Sequence, residues 1–241
     1  MDKLRTVLRE GIVRFCPDLN SEQEEKILHF VQLLHRTNKE CNLTGFKTEE
    51  EILVEGVLDS LAALVFQEVF RKAQNFIDVG TGGGIPGIPL KIVAPWLRLT
   101  LLEATQKKCR FLKEAVQALS LEDTQVLCGR AEVLAHEPAI RETYDLATAR
   151  ALGELREILE LTTPFLRPGG FALFYKGPGV AQELEKATTN ALHVLRCTVV
   201  EVREVPIPFL SRQTIFVLVR KEGPTPPRYP RRPGIPKKRP L

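Results

Sequence analysis

The chain has 241 residues, is 44% hydrophobic and 27% charged, and carries a formal net charge of +4. This composition suits a soluble globular protein with a real core and excludes a disordered or fibrous chain. No apolar run approaches the roughly 18 residues of a membrane span, and the first residues lack a signal-peptide pattern, so no membrane association and a cytoplasmic location are expected.

The first region, residues 1–72, reads as helical. Ile27, Phe30, Val31 and Leu34 recur at helical spacing, as do Leu58, Leu61, Ala62 and Val65. Ser21 followed by Glu24 has the capping-box pattern of a helix start. Asn42-Leu-Thr-Gly45 breaks the pattern as a turn. In the second region, residues 73–220, short β-rich runs alternate with helical ones. The predicted strands are Asn75–Val79, Leu97–Leu102, Gln125–Cys128, Asp145–Ala149, Phe171–Tyr175, Thr198–Val205 and Gln213–Val219. The predicted helices are Pro86–Val93, Lys107–Leu119, Leu152–Thr163 and Ala181–Leu192. Strands separated by helices imply an α/β fold with a mainly parallel sheet. The last two strands have no helix between them and should pair antiparallel at one edge, joined through Pro206 and Pro208.

Residues 221–241 form a basic, Pro-rich tail. Between Arg220 and Leu241 there are eight basic residues and one acid, a charge of +7, which leaves −3 on residues 1–219. The tail also holds seven prolines, which rule out helix interior and central strand. It should be extended and largely solvated, either as a solubility tail or as an arm that neutralises nucleic-acid phosphates, with Tyr229 offering a stacking face. The five cysteines (Cys16, Cys41, Cys109, Cys128 and Cys197) are scattered, odd in number and free of CxxC spacing. They read as reduced, with no disulfide frame and no zinc site.

The densest chemistry lies in Phe76-Ile-Asp-Val-Gly-Thr-Gly-Gly-Gly-Ile-Pro-Gly-Ile-Pro-Leu90. An apolar strand delivers the chain to Asp78 and then to a glycine loop that opens a helix, the layout of a nucleotide-type pocket at a sheet's carboxyl edge. Pro86 and Pro89 fit only the first helical turn, where their missing N–H is not needed. Gly82-x-Gly84-x-x-Gly87 formally matches the dinucleotide fingerprint. However, Pro86 removes an N–H close to where a pyrophosphate would bind, and Asp78, pointing into the loop, suits a cationic ligand. S-adenosylmethionine, with a sulfonium, an ammonium and no phosphate, is the cofactor these residues favour over a dinucleotide.

Three further strand ends carry polar candidates. Glu103 ends the second strand, 25 residues beyond Asp78, near the spacing at which a carboxylate grips a ribose diol; alone it also reads as a surface acid. Glu132 and the backbone at Ala131 follow the third strand and can recognise an adenine edge. Arg150 ends the fourth, where it can face substrate, pair with a carboxylate or form a surface salt bridge. Lys176 is a further candidate for orienting RNA or cofactor, and the four histidines read as structural.

Together these motifs resemble the glucose-inhibited division protein B family. They are Asn42-Leu-Thr44, Leu58-Asp-Ser-Leu61, the loop from Asp78 to Leu90, Leu101-Leu-Glu-Ala-Thr-Gln-Lys-Lys108 with Phe111-Leu112, Arg130-Ala-Glu132, Ala149-Arg-Ala151, Lys176-Gly177 and Tyr229-Pro-Arg231. The resemblance runs along nearly the whole chain. It implies a class I S-adenosylmethionine-dependent methyltransferase fold: a Rossmann-like seven-stranded, mainly parallel sheet with the last strand antiparallel and an N-terminal helical extension. It also implies methylation of guanine N7 at position 527 of 16S ribosomal RNA, with that RNA or the small ribosomal subunit as partner. By the resemblance Gly80, Ile85, Glu103, Ala104, Thr105, Ala131, Glu132 and Arg150 match cofactor contacts, and Thr81 and Gly82 lie within the same loop. Many relatives carry His three residues before the Asp-Ser pair; this chain has Gly56 there.

Overall fold

The computed structural model describes residues 2–241. Two helices open the chain, α1 (Asp2–Ile12) and α2 (Ser21–Cys41). Leu4, Leu8 and Ile12 put one buried stripe on α1, and Ile27, Phe30, Val31 and Leu34 do the same on α2. The capping box sits one residue before the predicted position. The Asn20 side chain accepts from Gln23 N–H at 2.9 Å, and Gln23 Oε1 accepts from Asn20 N–H at 3.1 Å. Glu24 is buried instead, its carboxylate gripped by Arg5 and by Arg9 Nε at 2.7 Å. A continuous helical run follows from Glu49 to Lys72, and its Ile52–Leu58 stretch is a π-helix.

The sheet has seven strands: β1 (Asn75–Val79), β2 (Arg98–Glu103), β3 (Thr124–Cys128), β4 (Tyr144–Arg150), β5 (Leu166–Lys176), β6 (Cys197–Val205) and β7 (Thr214–Lys221). Their order is β3-β2-β1-β4-β5-β7-β6. The first five run parallel, and β7 lies antiparallel to both β5 and β6. The chain reverses at β1, which has β2 on one side and β4 on the other; such a switch point opens a crevice at the carboxyl edge. Strand alternation then divides the core. Phe76 joins Phe30, Leu34 and Leu58 on the face covered by the N-terminal helices, while Ile77 and Val79 face Leu159, Phe165 and Phe174. The predicted Ala181–Leu192 helix is split at Asn190 into Val180–Thr189 and Ala191–Val194. Among the described residues no helix is long and apolar enough to cross a membrane.

Two expectations fail here. The tail is not solvated but straps the body. Tyr229 is 5% exposed, so its ring offers no free stacking face, and Arg231 forms an ion pair with the buried Glu160 at 2.6 Å. Arg141 donates to the carbonyls of Thr225 at 3.0 Å and Tyr229 at 2.9 Å. Proline only forbids regular structure; these side-chain anchors supply the backbone partners that an extended segment needs. Secondly, Cys109 and Cys128 form a disulfide, so only Cys16, Cys41 and Cys197 are free. The 19-residue separation hides the pair in sequence, but the Gln106–Ala118 helix folds back along β3 and brings the two Cα atoms to 6.0 Å.

Candidate functional site

Parallel register brings the ends of β1, β2, β3 and β4 to one edge. Gly80–Gly82, Glu103–Thr105, Ala131–Glu132 and Arg150 therefore gather where the sequence placed them. The loop after β1 is stitched to β2: the N–H groups of Gly80 and Thr81 both donate to the Leu102 carbonyl, at 2.9 and 3.1 Å. Gly82 sits at φ +59, and a Cβ added there would meet nothing nearer than Lys108 Nζ at 3.9 Å, so the space above it is open. Gly80, at φ +70, has Leu152 Cδ1 2.5 Å from a would-be Cβ, so only glycine lets that loop approach.

Asp78 does not face this hollow. Its wholly buried carboxylate lies beneath the loop, opposite Thr148 in the β1–β4 register. It accepts from Thr81 Oγ1 at 2.5 Å, Thr148 Oγ1 at 2.8 Å and Gly87 N–H at 2.9 Å. Asp78 thus shapes the loop, and Thr81 spends its hydroxyl on it. The start of the Gly87–Val93 helix is equally committed. Gly87 N–H goes to Asp78, Ile88 N–H to Gly84 O, Pro89 has none, and Leu90 N–H goes to Pro86 O. No N–H of that first turn is left for a phosphate, which removes the feature a dinucleotide site depends on.

Burial pushes the Asp78 carboxyl up to about 6, against hydrogen bonds from Thr81, Thr148 and Gly87 that pull it down. The folded protein then holds this proton more tightly than the unfolded chain, whose aspartate titrates near 3.9. The contribution of Asp78 to stability is therefore greatest below about pH 4, falls as pH rises to about 6, and is flat above. Relative to Asp78→Asn, the native protein is expected to gain about 2 kcal/mol between pH 7 and pH 4. Urea unfolding of both proteins across that range measures this, and a pH-independent difference between them would refute it.

Glu103 is 6% exposed and held on both oxygens: Oε2 accepts from Gly82 N–H at 3.1 Å and Oε1 from Thr105 N–H at 2.7 Å. Thr105 precedes the Gln106–Ala118 helix as its cap residue. Ala104 and Thr105 are exposed, whereas Ile85 and Ala131 are buried beside the loop and β3. The Glu132 carboxylate is engaged by the strap, with Oε1 accepting from Gly234 N–H at 3.0 Å. Arg150 leans onto the N-terminal helical run. It donates to the carbonyls of Glu55 and Gly56 and pairs with Asp59 at 3.1 Å. Lys176 is tied to Glu183 at 2.7 Å and to the Gly153 carbonyl at 3.0 Å.

Next to this group, a cavity of about 290 Å³ opens at the ends of β4 and β5, lined by Leu152, Gly153, Tyr175, Lys176 and Glu183 among others. A larger one, about 590 Å³, lies at the opposite, amino edge around Arg98, Thr124 and Tyr144, away from the glycine loop. The sequence reading missed Asp59 as a site residue. The apolar run Ile52–Leu61 holds two acids, Glu55 and Asp59, and only Asp59 is buried and paired, so the run alone does not tell them apart.

The family described as GidB, rRNA small subunit methyltransferase G, matches residues 23–213. The ribosomal RNA small subunit methyltransferase G of Alkaliphilus metalliredigens is 38% identical over 237 residues, covering 98% of each chain. That of Symbiobacterium thermophilum is 41% identical over 242 residues, again covering 98% of each. Among solved structures, an O-methyltransferase from Bacillus cereus in complex with SAH superposes with a TM-score of 0.58 at 16% identity, covering 92% of this chain and all of that one, a likeness of fold. By sequence along nearly its whole length, the chain belongs to the GidB family, the rRNA small subunit methyltransferase G family.

Proposed function

We propose that the protein uses S-adenosylmethionine to methylate N7 of guanine 527 in 16S ribosomal RNA, as a cytoplasmic enzyme acting on that RNA or on the small ribosomal subunit. The observation that carries the cofactor assignment is the pairing of the open space over Gly82 with a helix start whose N–H groups are all spent. The residues present fit the group. Glu103 is fixed by one N–H on each oxygen and keeps lone pairs for the two hydroxyls of a ribose. In this reading Gly80, Thr81 and Gly82 line the hollow with backbone, and Ile85 gives it an apolar wall. Glu103, Ala104 and Thr105 hold the ribose side, and Ala131 and Glu132 meet the adenine. Glu132 does so with its main chain and with what is left of its carboxylate, since the bond from Gly234 N–H occupies one site on Oε1 only. Arg150 closes the β4 side.

When bound, S-adenosylmethionine supplies an electrophilic methyl group on a sulfonium. Guanine N7 has a free in-plane lone pair and no proton to lose at neutral pH, so the chain needs no general base. Its task is to align N7 and exclude water. The cavity between Leu152, Tyr175 and Lys176, beside the hollow, is the place for the base. N7 lies in the deep groove of A-form RNA, so the target must be unpaired or splayed out. The strap supports an RNA partner: Arg228, Arg232, Lys237, Lys238 and Arg239 are exposed on a segment whose backbone is already fixed against the body.

The test is a methyl-transfer assay on naked 16S RNA and on small subunits from a strain lacking the gene, with mapping of the modified base. A single labelled guanine N7 is expected. A label elsewhere, or a preference for a nicotinamide cofactor in titrations, would overturn the assignment.

A further inference from the structure

Asp59 is wholly buried, yet it lies where the N-terminal helical run meets the carboxyl edge of the sheet. Its Oδ1 accepts from Thr214 Oγ1 at 2.7 Å, at the start of β7. Its Oδ2 accepts from Arg212 Nη2 at 2.8 Å and pairs with Arg150 Nη2 at 3.1 Å, at the end of β4. The same short stretch takes three more hydrogen bonds from that edge, from two residues. The carbonyls of Glu55 and Gly56 accept from Arg150, and the carbonyl of Ser60 accepts from Tyr175 Oη at 2.8 Å, on β5. Three strand ends thus converge on residues 55–60, at the close of the π-helix. Wide π turns of this kind recur at functional sites.

The arrangement is asymmetric in a telling way. One carboxylate serves two guanidinium groups, and Arg212 has a second acid, Glu55, at 3.8 Å. Among the described residues Arg150 forms no other ion pair: the Asp78 carboxylate acts on it only at longer range, and its remaining acceptors are main-chain carbonyls. Its side chain is 13% exposed, so the guanidinium has little water to replace a lost partner. A free arginine surrenders much rotamer freedom on binding, whereas one already pinned surrenders little.

We propose that Asp59 is a positioning residue that holds the Arg150 guanidinium at the lip of the cofactor hollow and thereby couples the N-terminal helical run to cofactor binding. This rests on the reading of the hollow as the S-adenosylmethionine site. Asp59 touches neither cofactor nor substrate and acts through Arg150. Asp59→Asn keeps the shape but removes the charge, leaving two guanidinium groups close together without their shared counter-ion.

The experiment combines kinetics with side-chain NMR on the full chain. Asp59→Asn is expected to raise KM for S-adenosylmethionine about tenfold, with kcat and KM for RNA within about threefold. In the Arg150→Gln background the same substitution is expected to add nothing further. Thr214→Val removes a hydrogen bond from the same carboxylate without touching the charge; it should lower thermal stability but leave the cofactor KM unchanged. Arginine 15Nε spectra, in which the Arg150 signal is identified by its loss in Arg150→Gln, report the guanidinium directly. Its restricted rotation should be lost in Asp59→Asn. That arm needs no cofactor, so it tests the positioning role even if the cofactor reading fails. An Arg150 signal that stays restricted in Asp59→Asn, or a KM effect of equal size in both backgrounds, would overturn the proposal.

Discussion

Arg231→Met is expected to lower the unfolding free energy by about 3–5 kcal/mol, because it strands a fully buried carboxylate. Glu160 lies on the Leu155–Thr162 helix and is 0% exposed. Arg231 grips it with Nε at 2.9 Å to Oε1 and Nη2 at 2.6 Å to Oε2, and its backbone N–H adds a bond at 2.7 Å. Methionine keeps the apolar stem and the backbone bond but removes both guanidinium donors. Among the described residues no other side chain donates to Glu160, so the charge is left buried with one backbone N–H as its partner. The companion variant separates pair from packing: Glu160→Leu combined with Arg231→Met should recover most of the loss, since replacing both partners of a buried pair by apolar groups is often neutral. Urea unfolding of the three proteins measures this. A loss below about 1 kcal/mol for Arg231→Met would mean that the strap is not a structural member. The same strap caps Glu132 through Gly234, so its loosening should also disturb the end of β3 and the hollow beside it.

That strap marks the limit of what the sequence makes legible. Seven prolines and eight cations announce irregular, polar chain, and composition has no means of reporting that Arg231 meets Glu160, 71 residues away. The sheet was readable for the opposite reason. Its strands are short apolar runs set apart by amphipathic helices, and β1 was found at Asn75–Val79 without error because hydrophobic alternation is local. The glycine loop was equally plain, and β1, β2, β3 and β4 carried their candidates to one edge because parallel pairing leaves no other choice. Side-chain direction was not readable. The spacing singled out Asp78, yet the β1–β4 register, which sets it against Thr148, turns it beneath the loop rather than toward a ligand. The cap on α2 lies at Asn20 rather than Ser21 because Asn20-x-x-Gln23 is a second, overlapping capping box that local sequence offers equally, and Glu24 is left to pair with Arg5 and Arg9.

Glu103→Gln is expected to weaken cofactor binding by about a hundredfold while leaving the fold intact. The carboxylate performs two tasks at once. Each oxygen anchors a backbone N–H, Gly82 on one side and Thr105 on the other, and each has a lone pair left for a ribose hydroxyl. Glutamine retains a single acceptor oxygen. Whichever way its amide turns, an NH2 group faces one of those two N–H donors, so either the glycine loop or the Thr105 cap is pushed away. The charge is lost as well, and with it the stronger class of hydrogen bond to the ribose. Two bonds of this kind at about 1.5 kcal/mol each account for the expected factor. Glu103→Asp is the informative second variant: it keeps the charge but draws the oxygens back by one methylene, and should lose nearly as much, because geometry rather than charge alone fixes the diol. Calorimetric titration with S-adenosylhomocysteine reads the affinity, and RNA binding measured in parallel should be unchanged in both variants. If Glu103→Gln bound the cofactor within about threefold of the native protein, the ribose would have to be held elsewhere, and the assignment of β2's end as the nucleoside grip would fall.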